Sequence, residues 1–268
     1  MLKSDNCNIN IKNGVMYITF PIFEKTGKVK HCFSTRIGGV SKGQYSKMNL
    51  SYSNGDSKEN VDENFRRICD CIGVDTASVT KTHQTHTVNI KNVYKAGEEL
   101  PPDIDGLITD KKGITLCSSY ADCVPLLFLD PEREVIASSH SGWRGTCGEI
   151  GRLTVERMVS DYGCEKQNSL AVVGPAICKD CYEVDETVAE KFRELGYLDL
   201  SQLLFSKGNG HYLLDLKEAC RQILVYAGLQ NENILVSDIC TCCNSHALHS
   251  HRATGGKRGN LCALIELA

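Results

Sequence analysis

The chain has 268 residues, 15 of them cysteine, and its 30 basic and 33 acidic residues give a formal net charge of −3. This near balance argues against a nucleic-acid-binding or membrane-surface protein, and the content of 41% hydrophobic and 24% charged residues excludes a disordered chain. No apolar run has the length of a membrane span, and residues 1–6 lack the profile of a signal peptide, so we expect a soluble cytoplasmic protein.

The first half of the chain predicts short strands and one helix. The pattern favours strands at 15–20 and 29–35, followed by a glycine-containing loop at 36–43. A helix is expected to begin after Ser57 as its N-cap and to end at Gly73. Three buried strands follow at 114–117, 124–129 and 134–138, with the turn between the last two at 130–133.

The second half predicts alternating helices and strands. Helices are expected at 146–161, 185–195 and 216–227, and strands at 170–173, 234–236 and 263–265. The sequence contains no linker, repeat or low-complexity segment. We therefore predict one mixed α/β domain over residues 1–268, although the pattern does not reveal how its sheets are connected.

The 15 cysteines point to a reducing compartment, because an odd number in a chain of this length argues against a disulfide-bonded secreted scaffold. Most are expected in the core, since free cysteine is among the most buried residue types. The exception to look for is a cysteine near other chemically active side chains. Cys123 is such a residue: it opens a predicted strand, and His140 closes the next one. Counting outward from a turn centred on residues 131 and 132 places the two opposite each other.

A Cys–His pair supports two kinds of chemistry. The imidazole can activate a thiolate nucleophile, or both side chains can bind a zinc ion with His86 or His83 as a third ligand. Three ligands and an open position are typical of catalytic zinc, and Asp122 could then orient a ligand or transfer protons. A buried cysteine beside a hydrogen-bonded histidine, with no metal, is the third interpretation.

Motifs along nearly the whole chain resemble, in order and spacing, those of the YfiH/YlmD laccase-domain (polyphenol oxidase-like) family. They are 34–41 (STRIGGVS), 49–51 (NLS), 55–56 (GD), 84–86 (QTH), 121–127 (ADCVPLL), 140–145 (HSGWRG), 174–177 (GPAI), 181–184 (CYEV), 250–252 (SHR) and 259–260 (GN).

The resemblance implies a YfiH-like α/β domain, with mixed sheets flanked by helices, that binds one zinc ion through His86, Cys123 and His140. It also implies transferase and hydrolase chemistry: phosphorolysis of adenosine, inosine and S-methyl-5′-thioadenosine to the ribose 1-phosphate sugar and free base, and deamination of adenosine. The 8 histidines look too few for the imidazole-rich copper sites of a laccase, so a copper-dependent polyphenol oxidase is disfavoured, and a metal-free Cys123/His140 hydrolase is the other alternative.

Further roles follow for individual residues. Cys123, Asp122 and His83 are the catalytic candidates, the last two as proton relays for attack at the purine C6. Guanidinium groups match phosphate, although Arg66 could equally be a solvated helix residue. The substrate- and phosphate-binding candidates are Arg36, Asn49, Arg66 and Arg144. The expected partners are therefore purine nucleosides and phosphate, without nucleic acid or membrane.

A second cluster of cysteines leaves an open question. Cys178 and Cys181 have the C-x-x-C spacing of a zinc site, and Cys240, Cys242 and Cys243 could complete it. The C-x-C-C arrangement of the second group is poor zinc-finger spacing, which disfavours this possibility.

Overall fold

A computed structural model describes residues 2–268, which form fifteen strands and seven α-helices. The strands are β1 (Asn8–Lys12), β2 (Val15–Thr19), β3 (Val29–Ser34), β4 (Val79–Lys81), β5 (Ile90–Asn92), β6 (Gly106–Thr109), β7 (Thr115–Tyr120), β8 (Val124–Asp130), β9 (Val135–Ser141), β10 (Leu170–Val173), β11 (Glu183–Asp185), β12 (Leu204–Gly208), β13 (His211–Leu214), β14 (Ile234–Val236) and β15 (Leu261–Leu267). The α-helices are α1 (Pro21–Glu24), α2 (Lys58–Ile72), α3 (Trp143–Cys147), α4 (Ile150–Tyr162), α5 (Glu186–Arg193), α6 (Leu216–Tyr226) and α7 (His251–Thr254).

The strands form two six-stranded sheets and one small sheet within residues 2–268. The first sheet has the order β1-β2-β3-β15-β7-β4, the second β14-β10-β8-β9-β6-β5, and the small one β11-β13-β12. The pairs β4–β7, β5–β6 and β10–β14 are parallel, and the other pairs are antiparallel. The prediction of a mixed α/β fold is confirmed.

The two large sheets face each other, and helices cover their outer faces. Phe33 and Ile265 of the first sheet share one core cluster with Leu127 and Ile136 of the second. Helix α2 packs outside the first sheet, and α4 and α6 pack outside the second. Every residue of β8 and β9 is therefore buried, which explains the nearly continuous apolar sequence of β8.

Most cysteines are core residues, as predicted. All 15 thiols are free, and nine are buried. Five of the buried ones form a layer between α2 and the first sheet, namely Cys32, Cys69, Cys71, Cys117 and Cys262. Burial of small apolar side chains, rather than chemistry, accounts for this part of the cysteine excess.

The predicted helix at 146–161 is two helices, α3 and α4. The break falls at Gly148 and Glu149, the latter with a left-handed φ of 60°. A Cβ at position 148 would lie 2.5 Å from Cγ1 of Val88, so the close approach of the 88 segment requires glycine there. Helix α2 agrees with its prediction, because Ser57 accepts a hydrogen bond from the Asn60 N–H and Gly73 closes the helix with a φ of 70°.

The predicted hairpin exists, but the predicted register of its two strands is wrong by two residues. His140 pairs with Pro125 rather than with Cys123, because four residues, 131–134, separate β8 from β9. A shift of two residues leaves the side chains on the same face of the sheet. The thiol and the imidazole therefore still lie close together.

Within residues 2–268, no helix is long and apolar enough to span a lipid bilayer.

Candidate metal site and substrate cavity

Three side chains from separate segments converge at one end of the second sheet. His86 lies in the loop between β4 and β5, Cys123 immediately precedes β8, and His140 belongs to β9. One ligand atom from each lies within 4.8 Å of the other two. The two imidazole rings meet edge to face, with their centroids 4.8 Å apart. The structure thus brings together the three residues that the sequence analysis assigned to a metal.

Gly142 allows this approach. A Cβ at position 142 would lie 2.7 Å from Nδ1 of His86 and 3.1 Å from Sγ of Cys123. The first distance is shorter than van der Waals contact permits, so any larger residue would displace a candidate ligand. His86 itself has a φ of 66°, and its backbone is held in this conformation by a neighbouring carboxylate.

That carboxylate belongs to Asp105, which is fully buried. It accepts hydrogen bonds from the backbone N–H groups of Thr85, His86 and Thr87, at 3.1, 3.1 and 2.9 Å. Its Oδ1 also lies 2.8 Å from Nδ1 of His140. When Nδ1 donates to this carboxylate, Nε2 is the ring nitrogen left for a metal. Asp105 therefore orients one candidate ligand and fixes the loop that carries another.

The pKa values of Asp105, His140 and His86 are all shifted from their ordinary values. Burial alone would raise the pKa of Asp105, but the hydrogen bonds from His140 and from the backbone of Thr87 and Thr85 outweigh it and lower the pKa to about 2. Burial would lower the pKa of His140, but the adjacent Cys123 and Asp105 raise it to about 9. The pKa of His86 is lowered by burial and by His140.

The donor set fits zinc. One thiolate and two imidazoles are ligands that zinc binds in catalytic sites, where a fourth position stays open to solvent or substrate. All three residues line a cavity of about 630 Å³, so a metal held by them would border this space. The hydrogen bond from His140 to a carboxylate is the support that metal-bound histidines commonly have.

Asp122 and His83 also line the cavity. Asp122 has a φ of 92°, and its two carboxylate oxygens accept from the Thr241 hydroxyl at 2.6 Å and from the Arg252 backbone N–H at 2.7 Å. Its side chain therefore connects the segment before β8 to the segments at 241 and 252. His83 lies outside the group of three ligands and has an exposed side chain on the cavity wall.

Two of the predicted substrate residues lie behind the cavity wall. Arg36 donates to the carbonyl groups of Ser46 and Ser245, at 2.7 and 2.9 Å. Asn49 is buried, and its Oδ1 accepts from the backbone N–H of Asn260, which lines the cavity. Neither residue lines the cavity itself. Both hold together segments that surround it.

The other two predicted substrate residues also lie outside the cavity lining. Arg66 pairs with Glu63 on the exposed face of α2, which agrees with its interpretation as a solvated helix residue. Arg144 stacks over the ring of Trp143, 4.3 Å from its centroid, and Trp143 lines the cavity.

Three cations that the sequence analysis did not assign do line the cavity: Lys81, Arg252 and Arg258. Lys81 donates to the Leu50 carbonyl at 2.6 Å, and Arg252 donates to two carbonyl groups of the 181–183 segment. The Nε of Arg258 is buried without a hydrogen-bond partner. Arg252 could have been predicted from the sequence, because it belongs to the 250–252 family motif. Asp105 had a weaker signal, as an acidic residue directly before a buried strand.

Known proteins are similar to this chain over most of its length. Residues 30–268 match the family model described as "Multi-copper polyphenol oxidoreductase laccase". The chain is 34% identical over 242 residues to "Purine nucleoside phosphorylase YlmD" of Bacillus subtilis (strain 168), covering 87% of this chain and 86% of that protein. It is 32% identical over 247 residues to "Adenosine deaminase RL5" of an unknown prokaryotic organism, covering 88% and 94% of the two chains.

The fold is also that of a solved structure. The crystal structure of the Bacillus licheniformis hypothetical protein YfiH matches with a TM-score of 0.90 and 31% identity, covering 97% of this chain and 99% of that one. Together with the family model, this similarity extends over the strands and loops that carry the three candidate ligands. The chain therefore belongs to the YfiH/YlmD laccase-domain family, whose model is described as multi-copper polyphenol oxidoreductase laccase.

Proposed function

We propose that this protein is a zinc-dependent purine nucleoside enzyme. It cleaves adenosine, inosine and S-methyl-5′-thioadenosine with phosphate, giving the free base and the ribose 1-phosphate sugar, and it deaminates adenosine. The observation that carries this proposal is the His86/Cys123/His140 group at a cavity of about 630 Å³, a volume suited to a nucleoside with phosphate. The names of the two relatives, a purine nucleoside phosphorylase and an adenosine deaminase, support the same substrate class.

The donor chemistry favours zinc over a laccase-type copper system. A multicopper oxidase combines a blue-copper site with a cluster built mostly from imidazoles. Within residues 2–268, the side-chain groups able to hold a metal are His86/Cys123/His140 and one set of four cysteines. Two imidazoles at one site do not support several coppers, so we propose one zinc ion here.

Deamination needs a proton relay near the metal position. Zinc, when bound, supplies Lewis acidity at this end of the cavity. We assign proton transfer to Asp122 and His83, which both line the cavity. The exposed imidazole of His83 is free to exchange protons with solvent, whereas the Asp122 carboxylate already accepts two hydrogen bonds and has less freedom to move.

Phosphorolysis needs cations around the attacking phosphate. We place the phosphate among Lys81, Arg252 and Arg258, because the buried Nε of Arg258 has a hydrogen to donate and lacks an acceptor. These cations neutralise the nucleophile as the sugar becomes oxocarbenium-like. In this assignment, Arg36 and Asn49 act indirectly by holding the cavity wall, Arg144 acts through Trp143, and Arg66 has no role.

The test is a product analysis with matched variants. Purified protein should convert inosine to hypoxanthine only when phosphate is present, and adenosine to inosine without it, as followed by chromatography. Cys123→Ser should abolish both reactions, whereas Cys71→Ser, which alters a buried thiol of α2 outside the cavity lining, should leave them unchanged. A Cys123→Ser variant with wild-type turnover of both nucleosides would refute the proposal.

A metal-free Cys–His hydrolase is the second candidate. The observation in its favour is the raised pKa of His140, about 9, beside Cys123, since a protonated imidazole stabilises a thiolate nucleophile. The two candidates respond differently to reagents. A chelator should abolish the activity of a zinc enzyme, and added zinc should restore it. The activity of a metal-free cysteine hydrolase should survive the chelator.

A further inference from the structure

A second cluster of thiols lies on two segments that are far apart in sequence. Cys178 and Cys181 belong to the segment between β10 and β11, and Cys240 and Cys243 to the turn after β14. The four sulfur atoms all lie within 4.8 Å of one another. Sγ of Cys243 is 3.5 Å from Sγ of Cys181 and 3.9 Å from Sγ of Cys178.

These distances are those of a tetrahedral zinc site. With zinc–sulfur bonds of about 2.3 Å, tetrahedral geometry separates neighbouring sulfurs by about 3.8 Å. A disulfide would instead need a sulfur separation of about 2.05 Å. Both pairs have the C-x-x-C spacing of structural zinc sites, 178 with 181 and 240 with 243.

The backbone is also arranged to support thiolates. The N–H groups of Cys178 and Cys243 both point at Sγ of Cys240, at 3.2 and 3.4 Å. Hydrogen bonds to a sulfur stabilise its anionic form, which is the form that binds metal. The sequence alone disfavoured this site because Cys242 obscured the spacing. In the structure Cys242 lies outside the group of four.

We propose that Cys178, Cys181, Cys240 and Cys243 bind a second zinc ion. Four thiolates complete a tetrahedral shell and leave no position for substrate, so this ion is structural rather than catalytic. The proposal is independent of the nucleoside chemistry, because it concerns only these four side chains.

The position of the cluster indicates what the ion would stabilise. Thr241, between two of the ligands, donates its hydroxyl to Asp122, the neighbour of Cys123. The carbonyl of Cys181 accepts from the guanidinium of Arg252, which lines the cavity. The second zinc would therefore fix two parts of the cavity wall, while the ion at His86, Cys123 and His140 has separate ligands.

Metal analysis of purified protein separates the two sites. We expect about two zinc ions per chain in the wild type, about one in Cys123→Ser, about one in Cys181→Ser, and none in the double variant. Cys242→Ser is the matched control, since it removes an adjacent thiol outside the cluster, and it should keep both ions. A Cys123→Ser protein without zinc would overturn the proposal, and so would iron in place of zinc at the cysteine cluster.

A second measurement covers the possibility that Cys181→Ser does not fold. In the folded Cys123→Ser protein, the four cluster thiols should resist alkylation until a chelator is added, as located by peptide mass mapping. Cobalt loaded into this variant should show strong sulfur-to-metal charge-transfer absorption. Free alkylation without chelator, or a disulfide between the two segments, would overturn the proposal. Wild-type protein that carries both zinc ions but does not convert adenosine or inosine would refute the proposed function instead.

Discussion

Replacing Asp105 by Asn tests the support of the metal site most directly. The substitution keeps the size of the side chain but removes its charge and one acceptor. In the native protein the carboxylate accepts three backbone N–H bonds and the Nδ1–H bond of His140. Each carboxylate oxygen accepts from at least two donors, so an amide nitrogen in place of either oxygen would face two buried donors and leave them without that acceptor.

The pKa of Asp105 gives the size of the effect. Its fall from the ordinary value of 3.8 to about 2 means that the folded state favours the ionised carboxylate by about 2 kcal/mol. Because the folded pKa is depressed, this stabilisation is fully present above pH 3.8 and is lost as the pH falls through about 2. We therefore expect Asp105→Asn to lower the free energy of unfolding by about 2 kcal/mol at pH 7 and by about half as much at pH 3.

The zinc affinity should fall as well. Loss of a carboxylate behind a metal-bound histidine typically weakens metal binding by about 10- to 100-fold. Urea unfolding of metal-free protein measures the stability, and competition with a chromogenic chelator measures the affinity. Asp103→Asn is the matched control, because this carboxylate lies on the same loop but is exposed and contacts only the Thr85 hydroxyl. Equal stability and equal zinc affinity of the Asp105 and Asp103 variants would refute the reasoning.

Three further predictions follow from the same site. Gly142→Ala should weaken zinc binding at least about tenfold, because its methyl group would lie 2.7 Å from Nδ1 of His86; chelator competition that finds wild-type affinity would contradict this. Arg258→Gln should raise the KM for phosphate about tenfold or more with little change in the KM for inosine, whereas Arg66→Gln, on the outer face of α2, should change neither. In metal-free protein the imidazole of His140 should titrate by NMR with a midpoint near 9. Its contribution to the free energy of unfolding should be fully present below about pH 6.5 and lost as the pH rises through 9. Cys123→Ser should bring that midpoint down, and an unchanged midpoint would disprove the role of the thiol.

Part of this architecture was accessible from the sequence because local signals determine it. Ser57 and Gly73 mark the ends of α2 through capping, and a nearly continuous apolar run identifies β8. Cys123 and His140 flank a hairpin, so their proximity survived a register error of two residues. In these cases the structure depends on neighbours in the chain.

The rest depends on contacts between distant segments, which leave little trace in local composition. The break between α3 and α4 lies at Gly148 and the left-handed Glu149, where Val88 of a distant segment approaches Gly148 closely. Two cations of the cavity were missed because Lys81 reaches it from β4 and Arg258 from the loop before β15, which are far apart in the sequence. The position of an arginine within a sequence motif does not reveal whether its side chain reaches the cavity. Arg36 and Arg144 both belong to family motifs, yet neither lines the cavity.

The distribution of thiols determines how this protein would respond to oxidants. Thiolates are the reactive form, and burial raises the pKa of the Cys32 and Cys69 thiols, which keeps them protonated. Cys262 differs, because burial would raise its pKa but the hydrogen bond with Cys117 and other neighbouring groups together lower it to about 7. This thiol is nevertheless fully buried and shielded from oxidants. Apart from Cys147 and Cys242, the thiols that are not fully buried are the proposed metal ligands Cys123, Cys178, Cys181 and Cys243. Mild peroxide should therefore release zinc and abolish activity before it oxidises the core thiols.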